Sequence, residues 1–176
     1  PLVLEKVPDA RLLVAGSDPP PRHSFHDPAN AIDLLGFVGD IQPLFAECAV
    51  FICPIRSGSG VRVKLLEAFA SGIPVVSTTL GAEGLARRDG EFCVLADDPR
   101  GFADGVIRVL EDSAFASEIA ARARREVESN WDMAVITARL ADRYRALIAA
   151  KRAACTRPAA GEAAASSPAT ALQSHL

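Results

Sequence analysis

The chain has 176 residues, of which 49% are hydrophobic and 23% are charged, a composition typical of a globular protein. Its formal net charge is -3. Proteins that hold nucleic acids usually carry an excess of basic residues, so we expect no nucleic-acid partner. No apolar run approaches the roughly 20 residues that a membrane-spanning helix requires. The cysteines form neither a CxxC pair nor a zinc-binding spacing, which predicts buried, reduced thiols.

Short apolar runs alternate with helical patterns from residue 9 onward, the order typical of β-α-β units and a parallel sheet. We therefore predict an α/β fold, a doubly wound parallel sheet followed by a helical C-terminal segment. The predicted strands are residues 11–16, 32–37, 49–54, 73–78 and 93–96. The predicted helices are residues 41–47, 61–71, 99–112, 114–129 and 133–150, with residues 1–7 as the end of another helix.

Composition changes after residue 150. Residues 151–176 consist mostly of alanine, serine, proline and threonine, and cannot bury enough apolar surface to offset the entropy lost on ordering. We predict a domain over residues 1–150 and a disordered tail over residues 151–176. Because the chain begins with Pro1, and residues 1–7 already have the pattern of a helix end, we expect it to be part of a longer protein, truncated at the N-terminus of this domain.

The first candidate site is the turn between the third predicted strand and the next helix, which contains Gly58 and Gly60. Unpaired N–H groups and the helix dipole favour an anion at a helix N-terminus, and glycine lets an anion approach the backbone closely. The spacing matches neither the Walker motif nor the dinucleotide fingerprint. The turn alone is therefore also consistent with a simple structural connection.

The helix at residues 61–71 is largely apolar but has one narrow polar stripe. At about 100° per residue, Lys64, Glu67 and Ser71 fall within one arc. If the stripe faces solvent, Lys64 and Glu67 form an ordinary surface pair worth about 0.2–0.5 kcal/mol. If it faces a cleft, Glu67 can accept both hydroxyls of a ribose and Lys64 can neutralise a diphosphate. Helical periodicity does not decide between the two.

Residues 56–78 read RSGSGVRVKLLEAFASGIPVVST, and this block resembles the donor-site signature of GT-B glycosyltransferases, most closely the retaining family 4. Residues 81–85, GAEGL, continue the pattern as it occurs in bacterial polysaccharide-type members. The likeness covers about residues 1–150. It implies the Rossmann-like, donor-binding C-terminal domain of a hexosyltransferase-like enzyme, which transfers a sugar from a nucleotide-diphosphate sugar to a polysaccharide, lipid-linked or small-molecule acceptor.

The resemblance also implies roles for single residues. Glu67 matches the second glutamate of the family's Glu-x7-Glu element, which holds the donor ribose, and Val38 matches a position whose backbone meets the base. Arg62 and Lys64 match basic positions near phosphate, and they would be the catalytic pair that stabilises the leaving diphosphate. The donor-binding turn would comprise Gly58, Ser59, Gly60, Val61 and Val63.

One position departs from the family pattern. Ser59 stands where the first glutamate of Glu-x7-Glu normally contacts the transferred sugar, so the resemblance does not identify that sugar. Relatives handle the donor without a bound metal, which implies that no cofactor or metal is required. The histidines and aspartate at His23, His26 and Asp27 are too few ligands, in a proline-rich loop, to indicate a metal site.

By the same resemblance, the reaction takes place in a cleft between this domain and an N-terminal acceptor-binding domain that is missing from the sequence. The implied partners are that domain, without which we expect no activity, and the nucleotide-sugar donor. Residues 133–150 resemble the segment that crosses onto the other domain, so their apolar side chains should be partly exposed. The expected location is the cytoplasm, and peripheral association with the cytoplasmic face of the membrane stays open.

Two alternatives share this fold class. A nucleotide-sugar epimerase would require acid and base side chains in its cleft, and the sequence offers no convincing set. A non-catalytic nucleotide-binding or receiver-like module would require an acidic cluster after the first strands, where Gly16-Ser17 and Pro54-Ile55 stand instead.

Overall fold

The computed structural model describes residues 1–17, 29 and 31–155. Within them the strands are β1 (Leu12–Ala15), β2 (Ile32–Gly36), β3 (Phe51–Cys53), β4 (Val75–Ser77) and β5 (Val94–Leu95). The helices are α1 (Gln42–Glu47), α2 (Val63–Ser71), α3 (Pro99–Glu111), α4 (Ser113–Glu126) and α5 (Met133–Cys155). A π-helical turn, Val127–Trp131, follows α4. The chain divides into two units, Pro1–Val135 and Ile136–Leu176.

The predicted α/β class is confirmed, because every strand pairing in the described residues is parallel and the helices α1 and α2 connect β2 to β3 and β3 to β4. The strands form two sheets, with the orders β1-β2 and β3-β4-β5. The predicted single sheet is therefore divided, because no strand pairing in the described residues joins the β1-β2 sheet to the β3-β4-β5 sheet. The α2 helix joins β3 to β4, which pair from Phe51 with Val75 to Cys53 with Ser77.

The core of the first unit lies on both faces of β4. Val75 packs with Leu65 and Phe69 of α2, whereas Val76 packs with residues of β5, α3 and α4 such as Val106. All of these side chains except Val106 are at most 1% exposed. Alternation along a strand that is buried on both faces explains the continuous apolar run in the sequence. The α2 helix is therefore held firmly against the sheet on one side.

The boundaries of α2 matter for the site. The helix ends at Gly72, as predicted, with the left-handed conformation (φ 75°) and an N–H that donates to the carbonyls of Ala68 and Phe69. It begins at Val63 rather than at residue 61, because Arg62 has extended backbone angles. Residues 61 and 62 therefore belong to the glycine turn and not to the helix.

The two ends of the chain also differ from expectation. Residues 1–7 form turns and not the end of a helix, because their hydrogen bonds, such as Val7 N–H to the Val3 carbonyl, do not run on consecutively. At the other end, α5 continues to Cys155, five residues past the predicted end of the domain at residue 150. Residues 156–176 lie outside the described part, as do His23, His26 and Asp27, so the disordered tail stays a prediction.

The second unit contains most of α5. Large apolar side chains of α5 within this unit are 37–58% exposed, in line with the expectation from the sequence: Ile136, Leu140, Tyr144, Leu147 and Ile148. None of the helices described is both long and apolar enough to cross a bilayer.

The cysteines with described side chains, Cys48, Cys53 and Cys93, are free thiols, as expected. Cys53 and Cys93 are buried, and Cys48 is half-buried. Burial, with a smaller contribution from nearby Asp89, raises the pKa of Cys93 to about 12. A thiol with so high a pKa is inert near neutral pH, so Cys93 is part of the core.

Candidate functional site

The glycine turn links β3 to α2 and has a backbone that only glycine adopts easily. Gly58 and Gly60 have φ angles of +100° and +91°, which strain any residue with a Cβ. A Cβ at Gly60 would meet no atom within 4 Å. The glycine is therefore explained by backbone conformation, and the turn keeps open space beside it.

The amides of this turn are not used by the chain. Among the described residues, no backbone N–H from Gly58 to Lys64 donates a hydrogen bond, and no side chain caps α2. The first intrahelical bonds run from Leu65 and Leu66 to the carbonyl oxygen of Arg62, at 2.9 and 3.4 Å. The N-terminus of α2 therefore offers unpaired donors and the positive end of the helix dipole to an anion.

Arg62 folds back over the turn. Its Nη1 donates to the carbonyl oxygen of Ser59 at 3.1 Å, and its Nη2 would lie 3.4 Å from a Cβ at Gly58. Nε and Nη2 are buried and have no hydrogen-bond partner among the described residues. Buried, unpaired charged donors are costly, and the guanidinium fork matches the oxygens of a phosphate.

The polar stripe of α2 separates into two parts. Ser71 is half-buried, and its hydroxyl lies 3.4 Å from Oε1 of Gln42 in α1. Lys64 and Glu67 are exposed and do not form an ion pair with each other in the described structure. The surface ion pair between Lys64 and Glu67, which was one interpretation of the polar stripe, is therefore not formed. Both side chains are available to a ligand. The valines of the turn region, Val61 and Val63, are 44% and 64% exposed.

Val38 belongs neither to the glycine turn nor to α2. It follows β2, at the carboxyl end of the other sheet, and is half-buried. No hydrogen bond joins it to residues 56–67 within the described part of the chain. Its neighbour Phe37, which was predicted to end the strand at residues 32–37, lies beyond β2 and is 76% exposed.

A second feature lies at the carboxyl ends of β3, β4 and β5. An open cavity of about 520 Å³ adjoins the start of the glycine turn. It is lined by Ile55, Arg56, Thr78, Thr79, Leu80, Glu83 and Asp97. Sequence reasoning missed this cavity. One signal could have revealed it: the residues that follow each strand of a parallel sheet meet at the carboxyl ends of the strands, where ligands usually bind.

Most polar groups of the cavity are already paired. The carboxylate of Asp97 accepts the backbone N–H and the hydroxyl of Thr79, each at 2.8 Å. These bonds, and to a smaller extent the Arg56 charge, lower the pKa of Asp97 below its usual value. Nη2 of Arg56 donates to the Asp97 carbonyl oxygen at 3.2 Å. The Thr78 hydroxyl donates to the Ile55 carbonyl and accepts the Gly81 N–H.

Residues 81–85 form a turn that connects the cavity to the glycine turn. A Cβ at Gly81 would lie 2.8 Å from the carbonyl oxygen of Cys53, so this position has no room for a side chain. Gly84 has a φ of +81°, and a Cβ there would lie 3.6 Å from Cγ2 of Val61. Gly84 and Val61 therefore lie close together. Among the described residues, no group of three or more His, Cys, Asp or Glu side chains could hold a metal ion.

The sequence matches a known protein family and several known proteins. The model of the family "glycosyl transferases group 1" matches residues 1–112. The chain is 32% identical to an uncharacterized 44.6 kDa protein of the cps region in Klebsiella pneumoniae, over 75% of the chain and 36% of that protein. It is 30% identical to phosphatidyl-myo-inositol mannosyltransferase of Mycolicibacterium smegmatis, over 80% of the chain and 38% of that protein. The chain thus spans under two fifths of the length of these relatives.

Solved structures show the same fold. The C-terminal domain of the glycosyl transferase group 1 family protein LpcC from Francisella tularensis superposes with a TM-score of 0.63 and 23% identity, covering 75% of each chain. Alr3699/HepE of Anabaena, solved in complex with UDP, gives a TM-score of 0.69 and 19% identity, over 82% of this chain and 44% of that one.

Proposed function

Because the chain belongs to the glycosyl transferases group 1 family, we propose that it binds the nucleotide-diphosphate sugar donor, with the diphosphate at the glycine turn. The observation that carries this proposal is the guanidinium of Arg62. It has two buried N–H-bearing nitrogens, Nε and Nη2, without a partner in the described structure, beside a turn whose amides are also unpaired. A diphosphate supplies the acceptors that both sets of donors require.

The remaining parts of the donor follow from this placement. Glu67 lies on the exposed side of α2, about one helical turn beyond Val63, and its carboxylate can accept the two hydroxyls of a ribose. Lys64 is exposed near the first turn of the same helix and adds a second positive charge beside the phosphates. Val38 would meet the base, a role that rests on the family resemblance alone.

The catalytic contribution of these groups is electrostatic. When the sugar–phosphate bond breaks, negative charge develops on the leaving diphosphate. Donors that are fixed before the reaction stabilise this charge more strongly than the ground state, which lowers the barrier. Arg62 and Lys64 supply positive charge, and the unpaired amides supply oriented dipoles.

The complete reaction is a further part of the proposal. The acceptor would bind to a second domain, and transfer would proceed with retention, as the family resemblance implies. We therefore expect the chain to bind donor but to show no transferase activity by itself. UDP is the first nucleotide to test, because the similar Anabaena protein was solved with UDP.

The test is a calorimetric titration of the purified protein with UDP, GDP and ADP and with their sugar conjugates. One nucleotide should bind saturably, and Glu67→Gln should weaken it by at least about tenfold, or 1.4 kcal/mol, because the hydrogen bonds to the ribose lose their charge. Glu111→Gln, which neutralises an exposed carboxylate at the end of α3, is the matched control. A folded protein that binds none of the nucleotides would contradict the proposal, and an unchanged affinity in Glu67→Gln would remove Glu67 from it.

A further inference from the structure

The cavity at the carboxyl ends of β3 to β5 and the glycine turn form one continuous surface. Arg56 lines the cavity and stands only two residues before Gly58. On the other side, Gly84 lies near Val61 of the glycine turn, since a Cβ at Gly84 would be 3.6 Å from Val61 Cγ2. A group attached to a diphosphate at the turn therefore has this cavity beside it, whereas Glu67 lies on α2 and does not line it.

The polar groups of the cavity that have no partner in the described structure indicate which kind of ligand the cavity can bind. Asp97 and Thr78 are held by Thr79, Ile55 and Gly81, as described above. The carboxylate of Glu83 is exposed and makes neither a hydrogen bond nor an ion pair within the described residues. Glu83 is thus the carboxylate in the cavity that is free to accept hydrogen bonds from a ligand.

The charge and shape of the cavity favour a neutral, hydroxyl-rich ring. One cation, Arg56, faces two carboxylates, Glu83 and Asp97, so the cavity does not favour a second phosphate or a carboxylate. A carboxylate accepts hydrogen bonds from neighbouring hydroxyls, and the guanidinium donates to oxygens. Ile55 and Leu80 supply apolar surface for ring C–H groups. The volume of about 520 Å³ lies in the usual range of small-molecule sites.

The backbone holds Glu83 at a defined position. Its neighbours Ala82 and Leu85 are buried, at 0% and 6% exposure, and the N–H of Ala82 donates to the Thr78 carbonyl at 3.0 Å. Gly81 has no room for a side chain, because a Cβ there would lie 2.8 Å from the Cys53 carbonyl oxygen. The glycine turn itself, residues 56–62, contains no carboxylate. Any carboxylate that binds the sugar end of the donor therefore comes from outside this turn, and Glu83 lines the adjoining cavity.

We propose that this cavity is the subsite for the sugar of the donor, and that Glu83 accepts hydrogen bonds from the hydroxyls of that sugar. The assignment rests on the proposed function, because it takes the diphosphate at the glycine turn as its starting point. Glu83 would then determine which sugar the protein prefers, whereas α2 would bind the nucleotide end of the donor.

The test compares each nucleoside diphosphate with its sugar conjugates by calorimetry, using UDP with UDP-glucose, UDP-galactose and UDP-N-acetylglucosamine, GDP with GDP-mannose, and ADP with ADP-glucose. Glu83→Gln should weaken the preferred sugar conjugate by about tenfold or more and leave the affinity for the nucleoside diphosphate unchanged. Glu111→Gln should change neither. Because Glu83 is exposed, the variant should fold, and a circular dichroism spectrum verifies this.

The outcomes separate the two proposals. If the nucleoside diphosphate binds, and Glu83→Gln affects it and every sugar conjugate equally or affects none of them, the sugar subsite is wrong and the donor site stands. If the folded wild-type protein binds no nucleoside diphosphate and no conjugate, both proposals are wrong.

Discussion

Arg62→Ala is expected to weaken nucleotide binding by about 10- to 100-fold, since a hydrogen bond to a charged group contributes about 1.5–3 kcal/mol. The same change should leave the free energy of unfolding unchanged or raise it. In the described structure the Arg62 side chain donates one hydrogen bond, to Ser59, and buries two nitrogens without a partner. Removing this side chain should therefore change the free energy of unfolding little, whereas the bound nucleotide loses its main charged partner. Calorimetric titration and urea denaturation measure the two effects.

Two variants make the Arg62 result specific. Arg62→Lys keeps the positive charge but loses the planar fork, so it should restore only part of the affinity. Arg125→Ala removes an exposed arginine on α4 and should bind as the wild type does. Equal affinities of Arg62→Ala and the wild type would show that the guanidinium does not contact the nucleotide.

Phe69→Ala should lower the free energy of unfolding by about 3–5 kcal/mol, the usual cost of truncating a buried aromatic side chain. Phe69 is 1% exposed and packs in the cluster with Leu65 and Val75. It is the largest fully buried side chain of α2, so its loss opens a cavity between the helix and β4. Trp131 packs against the same cluster, and its fluorescence during urea denaturation reports the change.

A variant on the same helix provides the comparison. Val63→Ala truncates a side chain that is 64% exposed and should change stability by less than about 0.5 kcal/mol. If Phe69→Ala does not fold, Phe69→Leu keeps most of the volume and should show a smaller loss. Equal losses for Phe69→Ala and Val63→Ala would contradict the packing described for α2.

The parallel α/β core was predictable because its signals are local. The apolar run around Val75 and Val76 predicted a strand at residues 73–78, and Gly72 marked the end of α2. The bounds of the strands were less predictable, because a strand extends only where its partner does. The predicted strand at 49–54 is reduced to Phe51–Cys53, which is the length of its pairing with β4.

One part of the candidate site could likewise be predicted from the sequence, and two parts could not. The glycine turn could be recognised because the requirement for positive φ is encoded in Gly58 and Gly60 themselves. The way Arg62 folds back over the turn could not be predicted, because it depends on the extended backbone of Arg62, which delays the start of α2 to Val63. The neighbouring cavity depends on contacts such as Arg56 to Asp97, which are 41 residues apart and leave no pattern in the sequence.

An NMR titration of the ¹⁵N-labelled protein with the nucleoside diphosphate that binds shows whether the glycine turn holds the diphosphate. We expect the largest shifts at the backbone amides of Gly58, Gly60, Val61 and Val63 and at the side-chain Nε of Arg62. Saturable binding with shifts confined to other parts of the chain, such as α3 and α4, would contradict it.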